Sequence, residues 1–340
     1  MAQMVSDLEM GREVFAGPSP LYRAFADRWM NEYVAPHNRG STQRCKRLIL
    51  RVHLLPAFGH LKLDEISTAK IDAFAASKIA GGLRPKTVNN ILTTLRCSLA
   101  IASEWGVLRV VPRFHWLRVP AQGYSFLTAD EAARLLSATA SPFWRTFILF
   151  LLHTGARFGE AAAAQWTDLA LDGDSPVFHI RRSVSMRVVG PTKTGKMRDV
   201  PLTSELAAAL KALPRDAPFV FSLPGGTLPT PEATRNRLHR LCARAGIHAV
   251  GNHALRHTFA TELTARGAPL RAVQDLLGHS TVQMTARYAH VGPSTLRACV
   301  QLLSQPRDSQ PTWSPDGYQG RFRPNPALGA ASVTAIPPLQ

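Results

Sequence analysis

Acidic side chains are scarce in this chain of 340 residues: 23 Asp and Glu stand against 40 Lys and Arg, a formal charge of +17 with the histidines neutral. That imbalance selects a polyanion as partner, either nucleic acid or an anionic membrane face. Cysteine is equally sparse. Cys45, Cys97, Cys242 and Cys299 are far apart, with no Cys-x-x-Cys or Cys/His cluster, which excludes a disulfide framework or a structural zinc site and predicts reduced, mostly buried thiols. Long apolar runs are missing too. The longest, Phe147 to Leu152, falls far short of the roughly 20 residues that span a bilayer, and the amino-terminal stretch lacks the basic and apolar regions of a secretion signal. A cytoplasmic location with no membrane partner is the resulting expectation. There is no GxxxxGK(S/T) loop and no cluster of acids suited to a pair of magnesium ions, so no cofactor and no metal are expected.

Lysine is itself rare. Only eight of the 40 basic residues are lysine, and two of these, Lys193 and Lys196, share the stretch PTKTGKMRDVPL. Arginine neutralises a phosphate but keeps its proton, whereas lysine can give one up. A lysine retained in an arginine-dominated chain is a candidate proton donor.

What is present is ample apolar sequence, 45% of the chain, over a length that suits two domains. An extension over 1–17 is followed, over 18–106, by four stretches of helical periodicity with basic faces: LYRAFADRWMNEYV, STQRCKRLILRVHLL starting at a Ser/Thr cap, STAKIDAFAASKIA and RPKTVNNILTTLRCSLAIASEW. A linker over 107–123 contains Pro112 and Pro120. A second domain over 124–303 opens on a capping box, Thr128 to Glu131, and continues as helices through Trp166. VFHIRRS, SMRVV and MRDVPL then read as a small antiparallel sheet, with GPTKTGK as a turn and Lys193 in or beside a hairpin. Helices return, three of them stopped by Gly246, Gly267 and Gly278, and the proline-rich stretch over 304–340 reads as a mobile tail. The expected fold is mainly α, with a helical first domain and an α+β second domain.

Four sites in the second domain carry chemistry. Arg157 follows HTGA at the end of an apolar helix; its plain structural role is an ion pair with Glu160, three residues on. His253 and Arg256 share a helix face at i, i+3, with Leu255, Phe259 and Leu263 available to anchor that helix in the core. His279 follows Gly278, and Tyr288 lies nine residues further on, about two and a half turns along a continuous helix.

The ordered set HTGARFGE, PTKTGKMRDVPL, NHALRHTFAT and LLGHSTVQMTARYAH resembles the tyrosine recombinase (phage integrase) family. LPAFGHLKLDEIS and LRPKTVNNILTTLRCSLAIASEWG resemble its helical core-binding, SAM-like domain, so the likeness covers about residues 20–303. It implies a site-specific recombinase or integrase that cleaves and rejoins DNA through a 3′-phosphotyrosyl intermediate and a Holliday junction, without ATP or metal. In that likeness Arg157 and Arg256 match the catalytic arginines, Lys193 the β-hairpin lysine, His253 and His279 the two histidines, and Tyr288 the nucleophile. Glu160 matches the acidic residue after the first arginine. Ala156 and Phe158 depart from side chains common in the family. His253 either assists proton removal from Tyr288 or binds phosphate, and His279 hydrogen-bonds a phosphate oxygen. The partner implied is double-stranded DNA bearing specific sites, bound by a homotetramer at the nucleoid. Lys46, Arg47, Arg51, Arg84 and Lys86 on the basic helices are candidate phosphate or base contacts. Leu296, Val300 and Leu303 in VGPSTLRACVQLL are spaced to dock a helix on a neighbour or on their own domain. Related chemistry on a single duplex, as in a type IB topoisomerase, or a non-catalytic DNA-binding regulator on this fold are the other readings.

Overall fold

The computed structural model describes residues 18–120, 123–192, 195 and 197–288. Lys193, Lys196, Cys299, the extension over 1–17 and everything after Tyr288, including Leu296, Val300, Leu303 and the tail, lie outside the described residues.

Four helices build the first apolar core. Helical backbone is continuous over 22–37 (α1) and 40–58 (α2), and each of these holds a π-helical segment, Trp29–Val34 and Leu50–Leu54. Each π segment ends two residues before a proline, Pro36 or Pro56. A proline inside a helix removes one N–H and crowds the carbonyl four residues back, and a widened turn accommodates both. Helix α2 starts at Gly40 behind Arg39 with no side-chain cap, so the expected Ser/Thr cap is not used. Helices α3 (Thr68–Ala80) and α4 (Pro85–Glu104) follow, α3 capped by Ser67 and α4 opening on Pro85. Tyr22, Trp29, Leu54, Ile71, Leu92 and Leu95 are fully buried between them. After α4 the chain is irregular but fastened: Leu108 and Phe114 enter this core, and the Asn89 side chain bonds both the N–H and the carbonyl of Leu117.

The second core surrounds α6 (Pro142–Thr154), which is buried along most of its length. Helix α5 (Ala129–Ser137) precedes it, with the Thr128 and Glu131 side chains reciprocally capping its first turn at 3.2 and 2.8 Å. A short α7 (Phe158–Ala162) leads to β1 (Leu169–Ala170), β2 (Val177–Ile180), β3 (Arg182–Ser185), β4 (Val188–Pro191) and β5 (Arg198–Pro201). The strands form two antiparallel units rather than one sheet. Strand β2 lies between β1 and β5, with Ile180 opposite Arg198, while β3 and β4 make a separate hairpin. Its turn is Met186-Arg187, both with positive φ (53° and 64°), so SMRVV, expected as one strand, holds a turn of its own, while the turn expected before MRDVPL falls between β4 and β5, where the Gly195 N–H donates to the Thr192 carbonyl at 3.0 Å. Helices α8 (Ser204–Lys211), α9 (Pro231–Arg244), α10 (Asn252–Ala265), α11 (Leu270–Leu277) and α12 (Val282–Ala286) complete the described chain.

Of the described thiols only Cys242 is buried; Cys97 is half-buried and Cys45 lies on the solvent side of α2, correcting the expectation of mostly buried cysteines. Among the described residues no helix is long and apolar enough to cross a membrane.

Gly155 ends α6 with φ +59°, and a Cβ there would sit 2.3 Å from Cδ1 of Phe259 on α10. Gly155→Ala combines a left-handed backbone cost with an overpacked contact, and denaturant titration should show a loss of about 2–4 kcal/mol.

Candidate active site

The Gly155 turn delivers Arg157 to the start of α7, where two bonds to one carboxylate hold it. Its backbone N–H donates to Glu160 Oε2 at 2.9 Å, and its Nη1 to Glu160 Oε1 at 2.8 Å. The plain ion pair expected from sequence is therefore present, and it is only half of the arrangement. Glu160 is 1% exposed and also receives Arg198, the first residue of β5, through Nη2 at 2.6 Å and Nη1 at 3.2 Å. Arg198 Nε donates in turn to the Leu276 carbonyl at 2.8 Å. Burial alone would raise the Glu160 carboxyl; hydrogen bonds and charge from Arg198 and Arg157 bring it below the usual carboxylate range.

Arg256 projects from α10 and is 6% exposed. Its Nη1 donates to the Gly155 carbonyl at 2.5 Å and its Nη2 to the Leu277 carbonyl at 2.6 Å. Those carbonyls stand at the carboxyl ends of α6 and α11, where backbone acceptors lack helical partners and the helix dipole favours a cation. Burial, with Arg157 beside it, pulls the Arg256 pKa down to about 9; Glu160 opposes that and Arg198 adds to it. The guanidinium stays charged at neutral pH. Three guanidiniums, Arg157, Arg198 and Arg256, thus lie about a single buried carboxylate, an arrangement short of one or more negative charges.

Gly278, at φ +62°, stops α11 and sets His279. The Gly278 N–H reaches the Asp275 carbonyl at 3.0 Å and the His279 N–H the Gln274 carbonyl at 3.1 Å, a Schellman pair. His279 Nδ1 lies 2.8 Å from Thr285 Oγ1. Burial, then Arg256 and Arg157, lowers its pKa to about 4, so the ring is neutral at pH 7. Arg157 Nη2 reaches the Gly278 carbonyl at 3.4 Å, which ties this turn to the first arginine.

Tyr288 does not ride on a long helix from His279. Helix α12 spans only Val282–Ala286, and Tyr288 occupies the turn after it, its N–H on the Thr285 carbonyl at 2.9 Å. The residue is 3% exposed and packs with Phe259, Ala260, Val273 and Leu277. Its ring is parallel to His279, with centroids 6.4 Å apart and planes at 14°. Burial raises its pKa, against Arg256 and Arg287, so the phenol is protonated at neutral pH.

Arg157, Glu160, Arg256, His279 and Tyr288 therefore converge, while His253 lies at the exposed edge of the same helix as Arg256. Two members of the constellation were not singled out from sequence. Arg198 stands in PTKTGKMRDVPL just after the lysines, and His257, directly after Arg256, is one turn from His253 on the same helix; that i, i+4 pairing was the available signal. Away from the pocket, Arg47, Arg51, Arg84 and Lys86 are exposed as expected, but Lys46 is turned inward. Its ammonium lies 4.8 Å from the Trp29 ring centroid and 3.9 Å from Cys97 Sγ.

The sequence pattern of the phage integrase family matches residues 125–294, and that of the phage integrase N-terminal SAM-like domain matches residues 21–79. The tyrosine recombinase XerC of Rhodospirillum centenum is 36% identical over 277 residues, covering 76% of this chain and 75% of that protein. Among solved structures, the Tn1549 transposon integrase in complex with a circular intermediate DNA aligns with TM-score 0.72 at 21% identity, over 84% of this chain and 100% of that one. A lambda integrase tetramer bound to a Holliday junction aligns with TM-score 0.63 at 19% identity, over 84% of each chain. The chain therefore belongs to the phage integrase family of tyrosine recombinases, enzymes of site-specific recombination. The expected fold, mainly helical with a SAM-like first domain and a small antiparallel sheet in the second, is the one observed.

Proposed function

We propose that this recombinase breaks and rejoins duplex DNA through a phosphotyrosyl bond to Tyr288, with no metal or cofactor. The observation that carries the reading is the buried, charge-deficient arginine pocket adjoining a protonated tyrosine. The Tyr288 oxygen attacks a backbone phosphorus as its proton passes to His253 or to solvent, the bond to the 5′-oxygen breaks, and the DNA is left as a 3′-phosphotyrosyl adduct with a free 5′-hydroxyl. Reversal by another 5′-hydroxyl conserves the bond, because a phenol is a better leaving group than a sugar hydroxyl.

Arg157 and Arg256 hold the non-bridging oxygens. The bonds of Arg256 to Gly155 and Leu277 leave further N–H groups on both terminal nitrogens for that work. Glu160 and Arg198 keep Arg157 oriented. In the tautomer that suits this role, Nδ1 of neutral His279 accepts from the Thr285 hydroxyl 2.8 Å away and the Nε2 hydrogen donates to a phosphate oxygen. His253 assists removal of the Tyr288 proton or binds phosphate, and Lys193 protonates the departing 5′-oxygen. Arg47, Arg51, Arg84 and Lys86 grip backbone phosphates on the first domain, with Lys46 bracing Trp29 beside them. The domain divisions at 18–106, 107–123 and 124–303 let the two cores close on opposite sides of one duplex. Exchange between two sites through a Holliday junction requires a homotetramer, the state in which the lambda integrase neighbour was captured.

Incubating the protein with randomly nicked DNA of its source organism, then denaturing, tests this reading. Protein should be recovered on 3′ ends, and sequencing those ends yields the site. On a nicked duplex of that sequence, Lys193→Ala should slow adduct formation by on the order of 10²-fold or more, and a 5′-bridging sulfur, which leaves without a proton, should restore it. No restoration would remove Lys193 as the proton donor.

A further inference from the structure

His257 has no part in the chemistry above, yet it makes the only hydrogen bond shown for the Tyr288 hydroxyl among the described residues. Its Nδ1 lies 2.7 Å from that oxygen, although 31 positions separate the two residues. A third aromatic closes the group. The Tyr124 ring lies 5.1 Å from the imidazole and meets the Tyr288 ring edge-on at 5.2 Å, while the Tyr124 hydroxyl donates to the Arg287 carbonyl at 3.1 Å. Tyr288 sits in a turn after a five-residue helix, so little regular backbone fixes its ring. The side-chain contacts must set where its oxygen points.

The groups facing His257 are His253 and Arg256 on its own helix, Arg287 and Tyr288 from the turn after α12, and Tyr124. Burial, followed by His253, Arg287 and Arg256, lowers its pKa to about 4, which leaves the imidazole neutral at pH 7. Between a phenol and a neutral imidazole the phenol O–H is the stronger donor and the ring nitrogen the stronger acceptor. The bond therefore runs from Tyr288 O–H to His257 Nδ1.

We propose that His257 is a positioning residue for strand cleavage: Nδ1 holds the Tyr288 hydroxyl beside the arginine pocket, and the Tyr124 ring walls the phenol in place. The assignment rests on Tyr288 as the nucleophile. A purely space-filling histidine would be replaced without consequence by phenylalanine, which keeps an aromatic ring against Tyr124. A hydrogen-bond acceptor would be replaced by glutamine, whose amide oxygen can take the same proton.

Two measurements on the full chain separate these cases. In ring-labelled protein without DNA, the Tyr288 Cζ resonance, identified by its loss in Tyr288→Phe, should move in His257→Phe and return toward the wild-type position in His257→Gln. An unmoved resonance in His257→Phe overturns the bond. On a nicked duplex of the sequence recovered from wild-type adducts, His257→Phe should form adduct on the order of 10²-fold more slowly at saturating DNA, with unchanged DNA affinity, and His257→Gln should recover most of the rate. A phenylalanine variant as fast as the wild type, or a glutamine variant no faster than phenylalanine, overturns the inference alone. Absence of any wild-type adduct overturns the nucleophile assignment and this inference together.

Discussion

Tyr288→Phe should form no covalent adduct on a nicked duplex that traps the wild type, at any enzyme concentration or time. The substitution removes one oxygen and leaves the ring against Tyr124, His279 and the apolar cluster of Phe259, Val273 and Leu277. Its structural cost is one hydrogen bond to His257, about 1 kcal/mol. Melting temperature and duplex binding should stay close to wild type, so a loss of chemistry cannot be mistaken for a loss of folding. A denaturing gel that resolves protein-linked DNA reads the result. Undiminished adduct would place the nucleophile on another residue.

Arg256→Ala should lower the rate of adduct formation by 10²–10³-fold or more, the scale seen when one preorganised donor to a developing oxyanion is removed. Here stability should fall as well. The guanidinium satisfies the carbonyls of Gly155 and Leu277, and losing both partners in a buried site costs on the order of 2–4 kcal/mol. Arg256→Lys separates the effects: one ammonium restores a charge but cannot span both carbonyls in a planar fork. Single-turnover rates well below the melting transition, with unfolding measured alongside, should show the lysine variant recovering part of the stability and little of the rate. A lysine variant with wild-type rate would show that charge alone is sufficient there.

Much of this site is legible in local sequence because local rules build it. Gly155 and Gly278 each end a helix in the left-handed region, and each places a functional residue within two positions of the turn. The Arg157–Glu160 pair follows from i, i+3 spacing, and the Thr128–Glu131 box from capping chemistry. What escaped reading depends on contacts between distant segments. Arg198 reaches Glu160 across 38 positions only because β5 pairs with β2 and passes beside α11. His257 meets Tyr288 because α12 is too short to carry the tyrosine along a straight helical path from His279. The turn inside SMRVV has no sequence signal, because Met186 and Arg187 adopt positive φ without the glycine or asparagine that normally marks it. Lys46 looked like a surface cation, but its stem folds over Trp29, a contact set by how α2 packs on α1 and invisible to helical periodicity.

The two carbonyls held by Arg256 close the helix that precedes Arg157 and the helix that precedes His279. One side chain thus serves as the joint between these two segments and, in the proposed reaction, as a receptor for the substrate's charge. A phosphate entering the pocket relieves the mutual repulsion of the arginines, so substrate binding and cohesion of the catalytic domain become one linked equilibrium. A substitution that loosens this joint therefore loosens the fold of the catalytic domain as well.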